Sequence, residues 1–218
     1  MSKKIILIMG MHRSGTSALT GVLNILGTYL GENMMQPSND NKKGYFENND
    51  IAALNNYLLK YKFNCDWDVL DELKIDKNNA YLKGAIEYII EMVFVNNDSV
   101  IGIKDPKICL LLPLYQEALK ELEYEIHYVR TSREKSEIVD SIMIRDGFTR
   151  KKCEKIVDIY LSSLDKHIPN ALTISYDDLI NKTDDVIDIL QEHFPFLDYS
   201  DENKEKIKEF IDPNLKHN

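Results

Sequence analysis

Apolar positions along this chain fall into two patterns. Short continuous runs at Lys4–Met9 (KIILIM), Ser99–Ile103 (SVIGI), Glu125–Val129 (EIHYV) and Ala171–Ser175 (ALTIS) read as strands of a buried sheet. Between them, apolar residues recur every three or four positions. Thr16–Leu26 sets Leu19, Val22, Leu23 and Leu26 on one face, and Asp50–Tyr61 does the same with Ile51, Leu54, Leu58 and Tyr61. Residues 79–95 repeat it with Leu82, Ile86, Ile89, Ile90 and Val93, and further helices are predicted over 111–122, 134–145, 150–167, 184–193 and 202–211. Strands alternating with helices predict an α/β fold with a central, mostly parallel sheet covered on both faces. Residues from about 30 to 98 carry helical patterns without a clear strand. They are expected to form a helical insertion, or acceptor-side cap, beside the C-terminal edge of the sheet, where open α/β proteins bind ligands.

Length and composition narrow the picture. With 218 residues, 1–218 reads as a single domain, and 44% hydrophobic with 29% charged residues excludes disorder and low-complexity architectures. The 36 acidic against 27 basic side chains give a net charge of −9. That argues against a general nucleic-acid binder, which needs a basic footprint, but not against a local basic site for a small anion. Short basic runs at Lys42-Lys43 and Arg150-Lys151-Lys152 read as solvated faces. Cys65, Cys109 and Cys153 are odd in number and widely spaced, which fits free thiols in a reducing compartment. The apolar run Ile5–Met9 is too short for a signal-peptide core, and no stretch approaches a transmembrane length. These features read as a cytoplasmic protein without membrane insertion.

The strongest chemical signal is Gly10-Met-His-Arg-Ser-Gly15-Thr16-Ser17, between an apolar strand and an amphipathic helix. Glycine lets the backbone fold tightly so that successive N–H groups point at one anion, and the helix N-terminus adds partial positive charge. Ser14, Thr16 and Ser17 bring hydroxyls, and Arg13 brings a forked cation. The spacing is that of GxxxxGK[ST], with Thr16 in the place of the lysine that ATP- and GTP-binding loops use on the terminal phosphates. An ordinary strand-turn-helix connection is the bland alternative.

A basic residue followed by Ser-Gly-Thr directly after the first strand resembles the sulfotransferases that use 3′-phosphoadenosine 5′-phosphosulfate (PAPS). The GMHRSGTS version is similar to a bacterial-type branch with Arg instead of Lys. The resemblance implies a P-loop-type three-layer fold and a loop that holds the 5′-phosphosulfate. Ser14, Gly15, Thr16 and Ser17 would bind the 5′-phosphate. Arg13 would take the bridging oxygen and stabilise the leaving phosphate. The family also carries an Arg near the end of a central strand and a Ser eight residues on, both on the 3′-phosphate. Arg133 and Ser141 have that spacing, and the stretch through Arg145 to Phe148 is similar to the family's continuation. Where the family usually has Pro two residues after the Arg, this chain has Lys135, and Arg130 lies nearer the strand end as an alternative ligand. Thr131 and Glu134 form a T-x-x-E pattern, which predicts a helix starting near Ser132 with Arg133 in its first turn.

Lys104-Asp105-Pro106-Lys107 resembles the KDPR-like segment of that branch, whose Lys faces the acceptor. Asp105 reads equally as a turn or helix cap, or as the metal-ordering acid of a nucleotide phosphotransferase. Ser175-Tyr-Asp-Asp178-Leu179 is similar to a YxDL-type segment of the family and reads as structural, with Ser175 capping a short helix. Sulfotransferases of the glycan and tyrosyl type place a catalytic Glu just after the first helix. Glu47, in Gly44-Tyr45-Phe46-Glu47-Asn48, matches by position, with Lys104 as its partner, although an acid at a helix start is favourable by itself. His12 and His127 do not stand where the cytosolic small-molecule branch has its base. His167, His193 and His217 read as structural or solvated. The implied activity is sulfuryl transfer from PAPS, without a metal, to a hydroxyl or amine of a carbohydrate or small metabolite. Two rivals remain at this stage. One is a P-loop kinase or nucleotide phosphotransferase with a degenerate loop, and the other is a non-catalytic nucleotide-binding module.

Overall fold

The computed structural model describes residues 3–38, 41, 43–95, 97 and 99–211; Lys42 and His217 lie outside the described residues. Strand β1 (Lys4–Met9) is central, flanked by β2 (Ile101–Lys104) on one side and β3 (Glu125–Ser132) on the other, with β4 (Leu172–Ser175) beyond β3. All pairings are parallel, with Ile5 opposite Ile101 and Ile126, and Val129 opposite Leu172. A central parallel strand must be apolar on both faces, and β1 is. Ile5, Leu7 and Met9 enter one core while Ile6 and Ile8 enter the other. Each fully buried aliphatic side chain of this kind contributes roughly 1.5–3 kcal/mol.

Helices α1 (Thr16–Ile25), α7 (Tyr176–Asn181), α8 (Thr183–His193) and α9 (Asp201–Phe210) cover the Ile6/Ile8 face. The other face is covered by α3 (Ala80–Val93), α4 (Ile108–Glu121), α5 (Lys135–Asp146) and α6 (Arg150–His167). Helix α2 (Asn49–Tyr57) lies between α1 and α3 in the chain. The fold is therefore α/β and three-layered, and its sheet is parallel throughout. Leu58, Leu82, Ile86 and Ile90, from the helical stretch between α1 and β2, bury themselves in the same core as Ile5 and Leu7. No helix among the described residues is long and apolar enough to cross a membrane.

Three local expectations are corrected. The helix expected to run through Tyr61 ends at Tyr57 and continues as a π-helical turn, Leu58–Lys62, closed by Phe63 N–H on the Leu58 carbonyl. The wider turn lets Leu58 and Leu59 both face the core and turns Tyr61 outward. The expected capping box at Thr131 does not form. Strand β3 runs on through Ser132, the Thr131 hydroxyl pairs with Ser14, and α5 begins only at Lys135. Arg133 thus stands in the connection before the helix, where the backbone leaves the sheet. Strand β2 starts at Ile101 instead of Ser99.

The chain crosses from β1 to β2 on one side and then to β3 on the other, so the sheet order reverses beside β1. The crevice at such a reversal is the natural ligand position of an open α/β sheet. The loops that open onto it follow β1, β2 and β3.

Candidate active site

The loop after β1 is shaped by two glycines. Gly10 passes so close to β3 that a Cβ would lie 2.4 Å from Thr131 Oγ1 and 2.7 Å from Ser14 Oγ. Gly15, with φ +94°, is the N-cap of α1, and a Cβ there would lie 2.3 Å from the Tyr176 ring. The loop is clamped by Ser14, whose hydroxyl bonds the Met11 carbonyl at 2.6 Å and the Thr131 hydroxyl at 2.7 Å. As glycine, the N-cap has no side chain for the orphan N–H groups of the first helical turn, which are left for an anion. Gly15→Ala should destabilise the fold by about 1–3 kcal/mol in chemical denaturation, because it places a Cβ at positive φ against an aromatic ring.

Arg13, itself at φ +68°, donates from Nε to Ser141 Oγ on α5 at 2.9 Å. Arg133 donates from Nη1 to the Arg13 carbonyl at 3.2 Å and from Nε to Glu137 at 2.7 Å, with its guanidinium 5.1 Å from the centre of the Tyr176 ring. Arg13, Ser141 and Arg133 therefore form one cluster, with Tyr176 packed against both Gly15 and Arg133. Arg130 is engaged elsewhere, with Asp165 at 2.6 Å and Thr173 at 2.9 Å. Successive β3 side chains point to opposite faces, so Thr131 reaches the loop and Arg130 does not.

The second half of the site is a buried ion pair. Lys104, the last residue of β2, bonds Glu47 Oε1 at 2.6 Å, the Tyr45 carbonyl at 3.0 Å and Ser17 Oγ at 3.3 Å. Ser17 also accepts from Asn41 at 3.1 Å. The Lys104 and Glu47 side chains are only 3% and 8% exposed. Glu47 precedes α2, and the actual N-cap is Asn48, whose side chain takes the Asp50 and Ile51 N–H groups. The Glu47 carboxylate is therefore bound to Lys104 instead of serving the helix end. Ser17 joins the two halves, being both a loop residue and a partner of Lys104.

Asp105 sits below this pair in a buried polar network. Its carboxylate takes the Lys107 backbone N–H at 2.9 Å, the Lys107 ammonium at 3.0 Å and Asn55 Nδ2 at 2.9 Å; Asn55 in turn accepts from Tyr115 at 2.7 Å. Burial opposes the charge on Lys107, but Asp105 and then Glu47 outweigh it and hold its pKa above the ordinary lysine value. Asp105 thus closes the turn into α4 and neutralises Lys107. Ser175 caps α7 through the Asp178 N–H, as its spacing predicts.

No family model and no curated protein matches this chain. Among solved structures, it is similar to a sulfotransferase domain from the curacin biosynthetic pathway, at 15% identity and a TM-score of 0.55 over 92% of this chain and 76% of that one. It is similar to a sulfotransferase domain from the Synechococcus PCC 7002 olefin synthase, at 15% identity and a TM-score of 0.55 over 100% and 85%. It is also similar to sulfotransferase STF1 from Mycobacterium tuberculosis H37Rv, at 14% identity and a TM-score of 0.60 over 95% and 71%. The chain has the sulfotransferase fold.

Within that fold, sequence reasoning passed over several contacts at the site. Tyr176 was legible only as part of a capped helix start, yet it packs on the loop. His12 lies within the loop after β1, and its ring centre stands 4.8 Å from that of Trp67. Trp67 stands out in the sequence, with Tyr45, Phe46 and Tyr57, as an aromatic that could stack on a sugar or ring or belong to the core, but nothing in the residue spacing brings Asn55 to this place, because it comes from a stretch whose path is set by packing.

Proposed function

We propose that this protein is a PAPS-dependent sulfotransferase, with Arg13, Ser14, Gly15, Thr16, Ser17, Arg133 and Ser141 holding the donor and Glu47 and Lys104 serving the acceptor. The observation that carries this reading is the Arg13–Ser141 hydrogen bond with Arg133 on the Arg13 carbonyl. It joins the cation of a 5′-phosphate loop to two residues suited to a second phosphate. ATP has no 3′-phosphate for such a pair to bind. The lysine that a kinase would need is Thr16, and Asp105 is committed to Lys107 and Asn55. Arg130, paired with Asp165, is the weaker of the two arginine candidates.

The chemistry such a donor supplies is an activated sulfuryl group. In the reaction, the acceptor oxygen bonds to sulfur as the bond from sulfur to the phosphate oxygen breaks. Arg13 and the first-turn amides of α1 stabilise the charge that collects on the departing phosphate. Glu47 takes the acceptor proton, and Lys104 fixes the carboxylate in place. The acceptor class favoured here is a hydroxyl or amine on a small metabolite or carbohydrate, because the site needs no extended basic channel.

The deciding test is calorimetric binding of the desulfated donor, 3′-phosphoadenosine 5′-phosphate (PAP), against ATP and ADP, with and without Mg²⁺. PAP should bind without metal and well above ATP. Preferential Mg·ATP binding would overturn the reading and turn attention to Asp105. In the same assay, Arg133→Ala should weaken PAP by roughly 10- to 100-fold, the worth of a charge-assisted contact, and leave AMP little changed. Equal losses for both ligands would remove Arg133 from the 3′-phosphate.

A further inference from the structure

His12 is the one ionisable side chain of the signature loop that the mechanism above does not use. Its Nε2 is buried without a hydrogen-bond partner. A buried unpaired nitrogen carries an uncompensated desolvation cost, which a ligand group would recover. Its ring lies 4.8 Å from the Trp67 ring and 6.0 Å from Tyr160, centre to centre. The same indole carries the Arg145 guanidinium, 5.0 Å from its centre, and stacks on Phe148 at 6.0 Å. Arg145 spends Nε on Asp146 at 2.9 Å, and its two Nη groups carry no hydrogen bond among the described residues. Two sets of donors, one a half-buried imidazole and one a partly exposed guanidinium, therefore meet on one aromatic shelf beside Arg13.

The charges around this shelf are mostly cationic. Burial first, then Lys107, Arg145, Lys104 and Arg13, hold the His12 pKa well below its ordinary value. The carboxylates on these neighbours, Glu47, Asp105 and Asp146, are each already joined to one of the cations. Asp66 and Asp68 come from the segment that carries Trp67, and Asp68 is bound by Lys152.

We infer that His12, Arg145, Trp67 and Phe148 form the acceptor subsite and that it takes a carboxylate-bearing hydroxyl compound. The carboxylate is held by Arg145 and His12, and the apolar body lies against Trp67 and Phe148. As an acceptor assignment this rests on the sulfotransferase reading above; as a carboxylate site it does not. A neutral sugar would leave the guanidinium and the imidazole unmatched.

The test titrates 4-hydroxyphenylacetate and its uncharged amide, 4-hydroxyphenylacetamide, into the protein by calorimetry, with and without saturating PAP. The acid should bind at least about ten-fold more tightly than the amide, as expected for a charge-assisted hydrogen bond. Arg145→Met, which keeps a long side chain over Trp67, should erase that preference, and His12→Gln should reduce it. Unchanged thermal unfolding of the two variants confirms that they fold. Equal binding of acid and amide, binding of neither, or a preference that survives both substitutions would overturn the inference while leaving PAP binding, and so the donor reading, intact. Loss of PAP binding with the acid preference retained would do the reverse.

Discussion

Arg13→Ala is expected to lower kcat by roughly 10²–10³, the usual loss when one pre-placed donor to a developing anion is removed. Arg13 is held for such a task. Its Nε is fixed by Ser141, its carbonyl is held by Arg133, and its own backbone sits at φ +68°, a region that non-glycine residues adopt at a cost of about 1–3 kcal/mol. A residue retained under strain for a role other than stability should be replaceable at no loss of stability. Arg13→Gly should therefore melt at or above the temperature of the parent while turnover is lost. Arg13→Lys keeps the charge without the fork and should fall between the two. Turnover of Arg13→Ala equal to that of the parent would end its role at the leaving phosphate.

The second large effect concerns the Lys104–Glu47 pair. Glu47→Gln should cut kcat by roughly 10²–10⁴, the range for loss of a general base, with PAP affinity unchanged. The same substitution leaves a buried ammonium facing only neutral acceptors, the new amide oxygen, the Tyr45 carbonyl and the Ser17 hydroxyl. Breaking a buried pair from one side typically costs about 3–5 kcal/mol, so stability falls as well. A double variant, Glu47→Gln with Lys104→Met, separates catalysis from architecture. Removing both charges should restore much of the stability, because the uncompensated charge is gone. It should not restore the rate. Recovery of rate together with stability would make Glu47 a structural anchor of the segment before α2.

Much of the proposed donor half was legible in the chain. Lys4–Met9 is apolar at every position after the first, which only a strand buried on both faces requires, and the Gly10 to Ser17 loop follows at once. The eight-residue spacing of Arg133 and Ser141 singled out two residues that the structure brings together around Arg13, even though the local reading around them failed. Thr131 and Glu134 satisfy a capping pattern, but Thr131 instead bonds Ser14, 117 residues away in sequence. A local cap and a tertiary hydrogen bond compete for one hydroxyl, and the spacing records only the first option. The Asp50–Tyr61 pattern failed for a related reason. A π turn changes the angular step by a fraction of a residue, and two adjacent leucines can then both find the core.

The proposed acceptor half was legible by residue type but not by arrangement. Lys104 and Glu47 stood out singly, and their contact joins residues 57 positions apart. Trp67, Arg145 and Phe148 lie far from His12 along the chain and are brought to it by α5 and the segment before α3. The sequence by itself determined the alternation of strands and helices, the two-sided burial of β1 and the glycine-bounded loop that follows it, because these depend on periodicity and on neighbours a few residues apart. Only the tertiary structure decided which arginine joins the loop, which carboxylate meets Lys104 and what stands against His12. Those outcomes depend on the strand order β2-β1-β3-β4 and on which face of each strand a side chain takes, and both are set by packing the two cores simultaneously.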